Sequence, residues 1–140
     1  MSVKIIDGRP LVCGASNGCA ITGVLTYLAV PYTHPREEVR QYRFEQVNKA
    51  SALLMNAGYY IFSPISMAGP IAMVGKLPTD FAYWRGYCLQ MVGACKQLFV
   101  LQLEGWDVSL GVTGETKIAD DLGLPVFMID PKELFHEEEI

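Results

Sequence analysis

Histidine is scarce in this sequence, with two in 140 residues, and the four cysteines form no C-x-x-C pair. A structural or catalytic zinc site is therefore not expected, and no other metal or organic cofactor is implied. Cations are also few: 11 Lys and Arg stand against 15 Asp and Glu, a net charge of −4. No basic stripe is available to meet a phosphate backbone, which argues against nucleic acid as a partner. Charge is missing altogether between Pro10 and Pro35. That length raises the question of a membrane span, yet Gly14, Ser16, Asn17, Gly18, Thr22, Gly23 and Thr26 interrupt it, and a spanning helix needs about 20 predominantly apolar residues. The basic flank and cleavage site of a signal peptide are poorly met as well. "GASNG" has two glycines but neither G-x-G-x-x-G spacing nor a following G-K-[ST], so it is not read as a phosphate loop.

What is present is an ordinary, rather apolar composition: half the residues are hydrophobic and 19% are charged. One domain of this length buries roughly two thirds of its unfolded surface. Cys88 and Cys95 are seven residues apart, on one face of a helix, where free cysteine packs as a small hydrophobe. All four cysteines, Cys13 and Cys19 included, are read as reduced thiols in a cytoplasmic protein, although an even count is also compatible with disulfides.

Residues 1–24 read as an N-terminal extension, with "VKII" and "RPLVCG" as short strands about Asp7-Gly8, a pair favoured in hairpins. Residues 25–140 read as a single domain. "LTYLAV" is a short apolar run typical of a strand buried on both faces. Pro35 suits the first position of a helix with Glu37 and Glu38 in its first turn, and Val39, Tyr42, Gln46, Val47, Ala50, Leu53, Leu54 and Ala57 fall largely on one face, with Gly58 as the stop. "YYIFSPI" is a second strand. Ser63 to Pro78, rich in Gly, Pro and Met, shows no period and is expected to be a long loop or lid. Thr79 is a candidate cap for a helix bearing Phe81, Trp84, Cys88, Met91, Val92 and Cys95 on one side. "QLFVLQL" is a third strand, "SLGVTGETKIADDLGLP" supplies a helix ending near Gly123, "PVFMID" is a fourth strand, and "PKELFHEEEI" a short terminal helix.

Strands alternating with helices imply right-handed crossovers and an α/β, Rossmann-like (flavodoxin-like) three-layer sandwich with a mostly parallel sheet of four to five strands. In such sheets ligands bind beyond the carboxyl ends of the strands. That rule gathers "VPYTHP", "SPISMAGP" and "EGWDVSLGVTGE" at one edge. The acid Glu115 lies in the third segment, at the first turn of its helix.

"TYLAVPYTHP", "AGYYIFSPIS" and "SLGVTGE…A…GLPV" resemble the nucleoside 2-deoxyribosyltransferase superfamily, which includes the 2′-deoxynucleoside 5′-phosphate N-hydrolases. The likeness is greatest to a branch of small bacterial and phage proteins, and it runs from about Leu25 to Asp130. It implies that Glu115, closing an S-x-G-V-x-x-E pattern, is a nucleophile toward C1′ of a sugar. It also implies that Tyr27 holds Glu115, that Ser109 contacts the sugar or its 5′-phosphate with Gly111 beside it, and that Tyr32, Thr33, His34 and Ser63 line the pocket. The sequence departs from the family at Cys88, the position best aligned with a common Asp, and at Gly69, where the close branch often has a His. Asp80 is the substitute candidate for the acid that protonates the leaving base, with Asp107 second.

The resemblance implies hydrolysis, or transfer, at the N-glycosidic bond of a nucleotide or nucleoside, with a 2′-deoxynucleoside 5′-monophosphate preferred, in a homodimer or larger homo-oligomer. A carboxylate near C1′ answers the positive charge that develops on the sugar, as in retaining glycoside hydrolysis. The plainer alternatives are a surface charge at Glu115, core packing at Tyr27, a helix cap at Ser109, an exposed loop residue at His34 and a helix-start residue at Asp80. Tyr83, Trp84 and Trp106 are more often packing than platforms that stack on a base, and Met67 and Met73 are an oligomer contact or pocket wall sooner than a cofactor box. At the level of function the alternatives are a protein that binds a nucleotide or ADP-ribose-type ligand without turnover, and an NAD glycohydrolase.

Overall fold

Four apolar runs form the frame: β3 (Leu25–Ala29), β4 (Tyr60–Phe62), β5 (Gln97–Leu101) and β6 (Val126–Ile129). In the computed structural model, which describes residues 3–6, 9–14 and 18–135, they make one sheet in the order β4-β3-β5-β6. Every pairing is parallel. The two preceding strands, β1 (Val3–Ile6) and β2 (Arg9–Val12), pair antiparallel in a sheet of their own. The Asp7-Gly8 turn between them lies outside the described residues.

The period of two along a strand sorts side chains onto opposite faces. Leu28, Val30, Phe99, Leu101, Phe127 and Ile129 build one core with Val47, Ala50 and Leu54 of α1 (Glu37–Asn56), Leu134 of α5 (Pro131–Leu134), and Val3 and Val12 of the hairpin. Tyr27, Ala29, Leu98 and Val100 build the other, with Cys88 and Val92 of α3 (Phe81–Ala94) and Val112, Ile118 and Ala119 of α4 (Leu110–Asp121). The chain is thus a three-layer α/β sandwich of the Rossmann-like type. No helix among the described residues is long and apolar enough to cross a membrane.

Several expectations are corrected. The segment read as a lid contains a helix, α2 (Pro64–Gly75), begun by a proline at its first position. Lys76 closes it in the left-handed conformation, φ 55° and ψ 41°. The α3 cap is Asp80 rather than Thr79: its carboxylate accepts from Tyr83 N–H at 3.3 Å. α1 starts two residues past Pro35 and buries Arg43, Val47, Ala50, Ser51 and Leu54, while Tyr42 faces solvent. Cys13 and Cys19 are joined as a disulfide, which leaves Cys88 and Cys95 as the free thiols. The expectation of four reduced thiols therefore fails for the first pair. Cys19 follows Cys13 by six positions, and the two residues form an isolated antiparallel bridge that brings their side chains together. The acidic end of "PKELFHEEEI" lies outside the described residues.

Candidate active site

Beyond the carboxyl ends of β3 and β4 a cavity of about 660 Å³ opens between α1, α2, α3 and the start of α4. Ser109 begins α4: its hydroxyl accepts from Val112 N–H at 3.2 Å, supplying the side-chain cap that serine favours. Counting from that cap, Glu115 is in the second turn, not the first. The helix dipole fades over the first turn, so it contributes little to holding this charge.

Other groups hold it. Glu115 is 5% exposed. The Tyr27 hydroxyl, on β3, donates to Glu115 Oε2, and the Cys88 thiol, on α3, approaches the same oxygen at 3.8 Å. Three elements therefore meet at one carboxylate oxygen. Burial pushes the Glu115 carboxyl up to about 7, against the pull of the hydrogen bonds from Tyr27 and Cys88. Burial and the neighbouring carboxylate raise Tyr27 well above its usual value, and the same two causes raise the Cys88 thiol to about 11. Both donors stay neutral while Glu115 titrates, so the carboxylate is the one group of the three that changes charge near neutrality.

Most of the residues singled out by sequence come together here. Tyr32, Thr33, Asp80, Ser109 and Gly111 line the cavity with Glu115. Tyr27 lies behind it, fully buried. His34 does not line it: its Nδ1 accepts from Arg36 N–H at 3.0 Å and its carbonyl from Arg40. Ser63 is also off the wall, buried, with a hydroxyl that has no hydrogen-bond partner among the described residues. Asp107 is exposed on a single 3₁₀ turn, Trp106–Val108, and is not in the lining. Trp84 does line the cavity, its indole N–H donating to the Pro78 carbonyl at 2.7 Å, and Tyr83 packs edge-on against it.

Sequence reasoning missed four contributors. Arg40 and Lys76 line the cavity. Phe81 lines it too, and fits only because residue 114 is glycine: a Cβ there would lie 2.3 Å from Phe81 Cε2. Arg43 is the fourth. Its buried guanidinium donates to the Thr33 carbonyl at 3.1 Å and the Glu104 carbonyl at 3.0 Å, tying the loop after β3 to the loop after β5. Gly105, at φ 93°, makes room for it, since a Cβ would stand 2.8 Å from Arg43 Nη2. Arg43 lies in a polar stretch of α1, which conceals its burial from sequence. Among the described residues, no group of three or more His, Cys, Asp or Glu side chains is placed to hold a metal.

Residues 24–131 match a protein family described as a domain of unknown function, DUF1937. The chain belongs to that family. The match starts one residue before β3 and ends one residue into α5, so it spans the four-stranded sheet and every cavity-lining residue and leaves out the β1–β2 hairpin. No curated protein matches the chain.

Proposed function

We propose that this member of the DUF1937 family cleaves the N-glycosidic bond of a nucleotide or nucleoside, with a 2′-deoxynucleoside 5′-monophosphate as the preferred substrate. The observation that carries this reading is a buried carboxylate at a cavity wall, with one oxygen held by two neutral donors from separate elements. Tyr27 and Cys88 both meet Oε2, so Oε1 is the oxygen assigned to the ligand in this reading. In the proposed reaction it attacks C1′. The C1′–N bond breaks, the electron pair leaves with the base, and Asp80 supplies the proton. Water then attacks C1′, Glu115 departs as a carboxylate, and the water's proton passes to Asp80, which restores the acid. Transfer replaces hydrolysis if a second base takes the place of water. Tyr32 and Trp84 offer faces for the base, and Ser109 with Gly111 lies at the sugar end. The protein acts in this reading as a homodimer or larger homo-oligomer, needing no metal or organic cofactor.

A second reading, binding without turnover, is favoured by Cys88. A thiol raised to about 11 on the wall beside Glu115 is a poor acid for a leaving base, and Asp80 is engaged in capping α3. One assay separates the two. Free base is measured after incubation with deoxynucleotides, ribonucleotides, nucleosides and NAD, beside the Glu115→Gln variant. Base release that disappears in the variant supports the glycosidase, and nicotinamide alone among the products assigns it to NAD. Stoichiometric binding with no base released overturns catalysis in favour of a binding protein.

A further inference from the structure

Lys76 is the one non-glycine residue among those described with a positive φ. The left-handed position after a helix ordinarily belongs to glycine, because a Cβ there crowds the following carbonyl. A glycine is next door. Gly75 occupies the last helical position, where a Cβ would meet only the Leu77 side chain at an ordinary 3.6 Å. The order Gly-Lys thus sets the unfavourable conformation on the lysine, when Lys-Gly would cap α2 without it. A backbone outlier of this kind points to a use for the side chain. Lys76 lines the Glu115 cavity, and so does Arg40, from α1. Neither cation makes an ion pair among the described residues. Arg40 donates to the His34 carbonyl and keeps further N–H groups, while Glu38, which feels Arg40 through space, is paired with Arg36.

We propose that Lys76 and Arg40 form a two-cation clamp for a phosphate group of the ligand held over Glu115. The inference rests on the reading of this cavity as a nucleotide site. The phosphate is either the monophosphate of a mononucleotide or the diphosphate bridge of a dinucleotide such as NAD, and both present the same anionic oxygens to a lysine and an arginine. Two rim carboxylates share the lining with them, Glu37 and Asp80. Asp80 is turned to Tyr83 N–H. Glu37 opposes an incoming anion and sets a limit on affinity, so its neutralisation strengthens the clamp.

The test uses Lys76→Gly, which removes the cation and gives the left-handed position its favoured residue, so the fold is not put at risk. Binding is measured by calorimetry in the Glu115→Gln background, where bound ligand is not turned over. The probes are a deoxynucleoside 5′-monophosphate, the matching nucleoside, NAD and inorganic phosphate. Lys76→Gly is expected to weaken the monophosphate by roughly tenfold to a hundredfold and leave the nucleoside unchanged. The melting temperature holds or rises, Lys76→Arg retains affinity, and Glu37→Gln tightens the monophosphate. If the loss falls on NAD alone, the clamp is for a diphosphate. Unchanged binding of both phosphate ligands, an equal loss on the nucleoside, or no binding of any probe overturns the clamp. Base release, assayed separately with Glu115 intact, keeps the two ideas apart. Phosphate discrimination without base release sinks the glycosidase and keeps the clamp, whereas base release indifferent to Lys76→Gly does the reverse.

Discussion

Glu115 carries a penalty that depends on pH, and its sign is fixed by the direction of its shift. The carboxyl rises from an ordinary 4.5 to about 7 in the folded protein, because burial disfavours the charge. Between those values the folded chain binds more protons than the unfolded one, so stability falls as pH rises through this window. The penalty is absent below the unfolded value and complete above about 7. The shift corresponds to about 3 kcal/mol. Glu115→Gln is therefore expected to raise the melting temperature at pH 8 and leave it nearly unchanged near pH 4; equal effects at both would show that burial does not act on the charge. Tyr27→Phe removes a bond that pulls the carboxyl down, so the rise of base release with pH should move to a higher midpoint. Its rate should fall roughly tenfold to a hundredfold, as expected when a group that aims a reacting atom is lost. A change in rate with an unmoved midpoint would assign Tyr27 to packing alone.

At the scale of elements, the contact between α3 and α4 hangs on Gly114. A methyl group placed 2.3 Å from the Phe81 ring forces one helix outward. Gly114→Ala is expected to cost about 1–3 kcal/mol in urea unfolding and to weaken ligand binding, since Phe81 lines the cavity. Unchanged stability would mean that the ring swings aside freely. The four strands were legible because each is a short apolar run bounded by turn residues, and the three-layer arrangement followed from their alternation with helices. α2 was not. Its twelve residues contain Ser66 as their one polar side chain, Gly69 and Pro70 fall mid-helix, and an element apolar all round shows no period to read. The site was partly legible: Glu115, Tyr27 and Ser109 rested on a likeness to a known pattern. Cys88 read as helix packing from its spacing to Cys95, and only its alignment with a common Asp of the resembling family tied it to the site. The burial of Arg43 depends on two carbonyls, at Thr33 and Glu104, which no side-chain pattern records.

For the molecule as a whole, the most exposed large apolar side chains among the described residues, Met73, Val74, Val108 and Leu110, lie on α2 and beside the cavity. Met67, Ile71, Met73 and Val74 on α2 are more than half exposed, and Val108, which ends the 3₁₀ turn, and Leu110, two residues on, have about four fifths of their surface open. Patches of this kind mark contact surfaces, which accords with the proposed homo-oligomer. Val74→Glu, at a side chain outside the cavity lining, is expected to shift the sedimentation coefficient toward that of a monomer. A monomeric wild-type protein would remove the assembly from the proposal. The hairpin is a second whole-molecule feature. Val3 and Val12 enter the core on the α1 face, and Val12 N–H donates to the buried Tyr59 hydroxyl at 3.1 Å. Deleting residues 1–24 should therefore lower the melting temperature of the remaining domain, and an unchanged value would show that the hairpin adds nothing to the fold.

The thiol set against Glu115 is also a built-in spectroscopic label. An S–H bond absorbs in a region of the infrared where other protein groups are nearly transparent, and its frequency follows the strength of the hydrogen bond it donates. Cys95 is the other free thiol among the described residues, so Cys95→Ala leaves Cys88 as the reporter. Its band should shift as Glu115 gains or loses its proton. It should shift again when a ligand enters, reporting the local field of the cavity without an added probe or a turnover event.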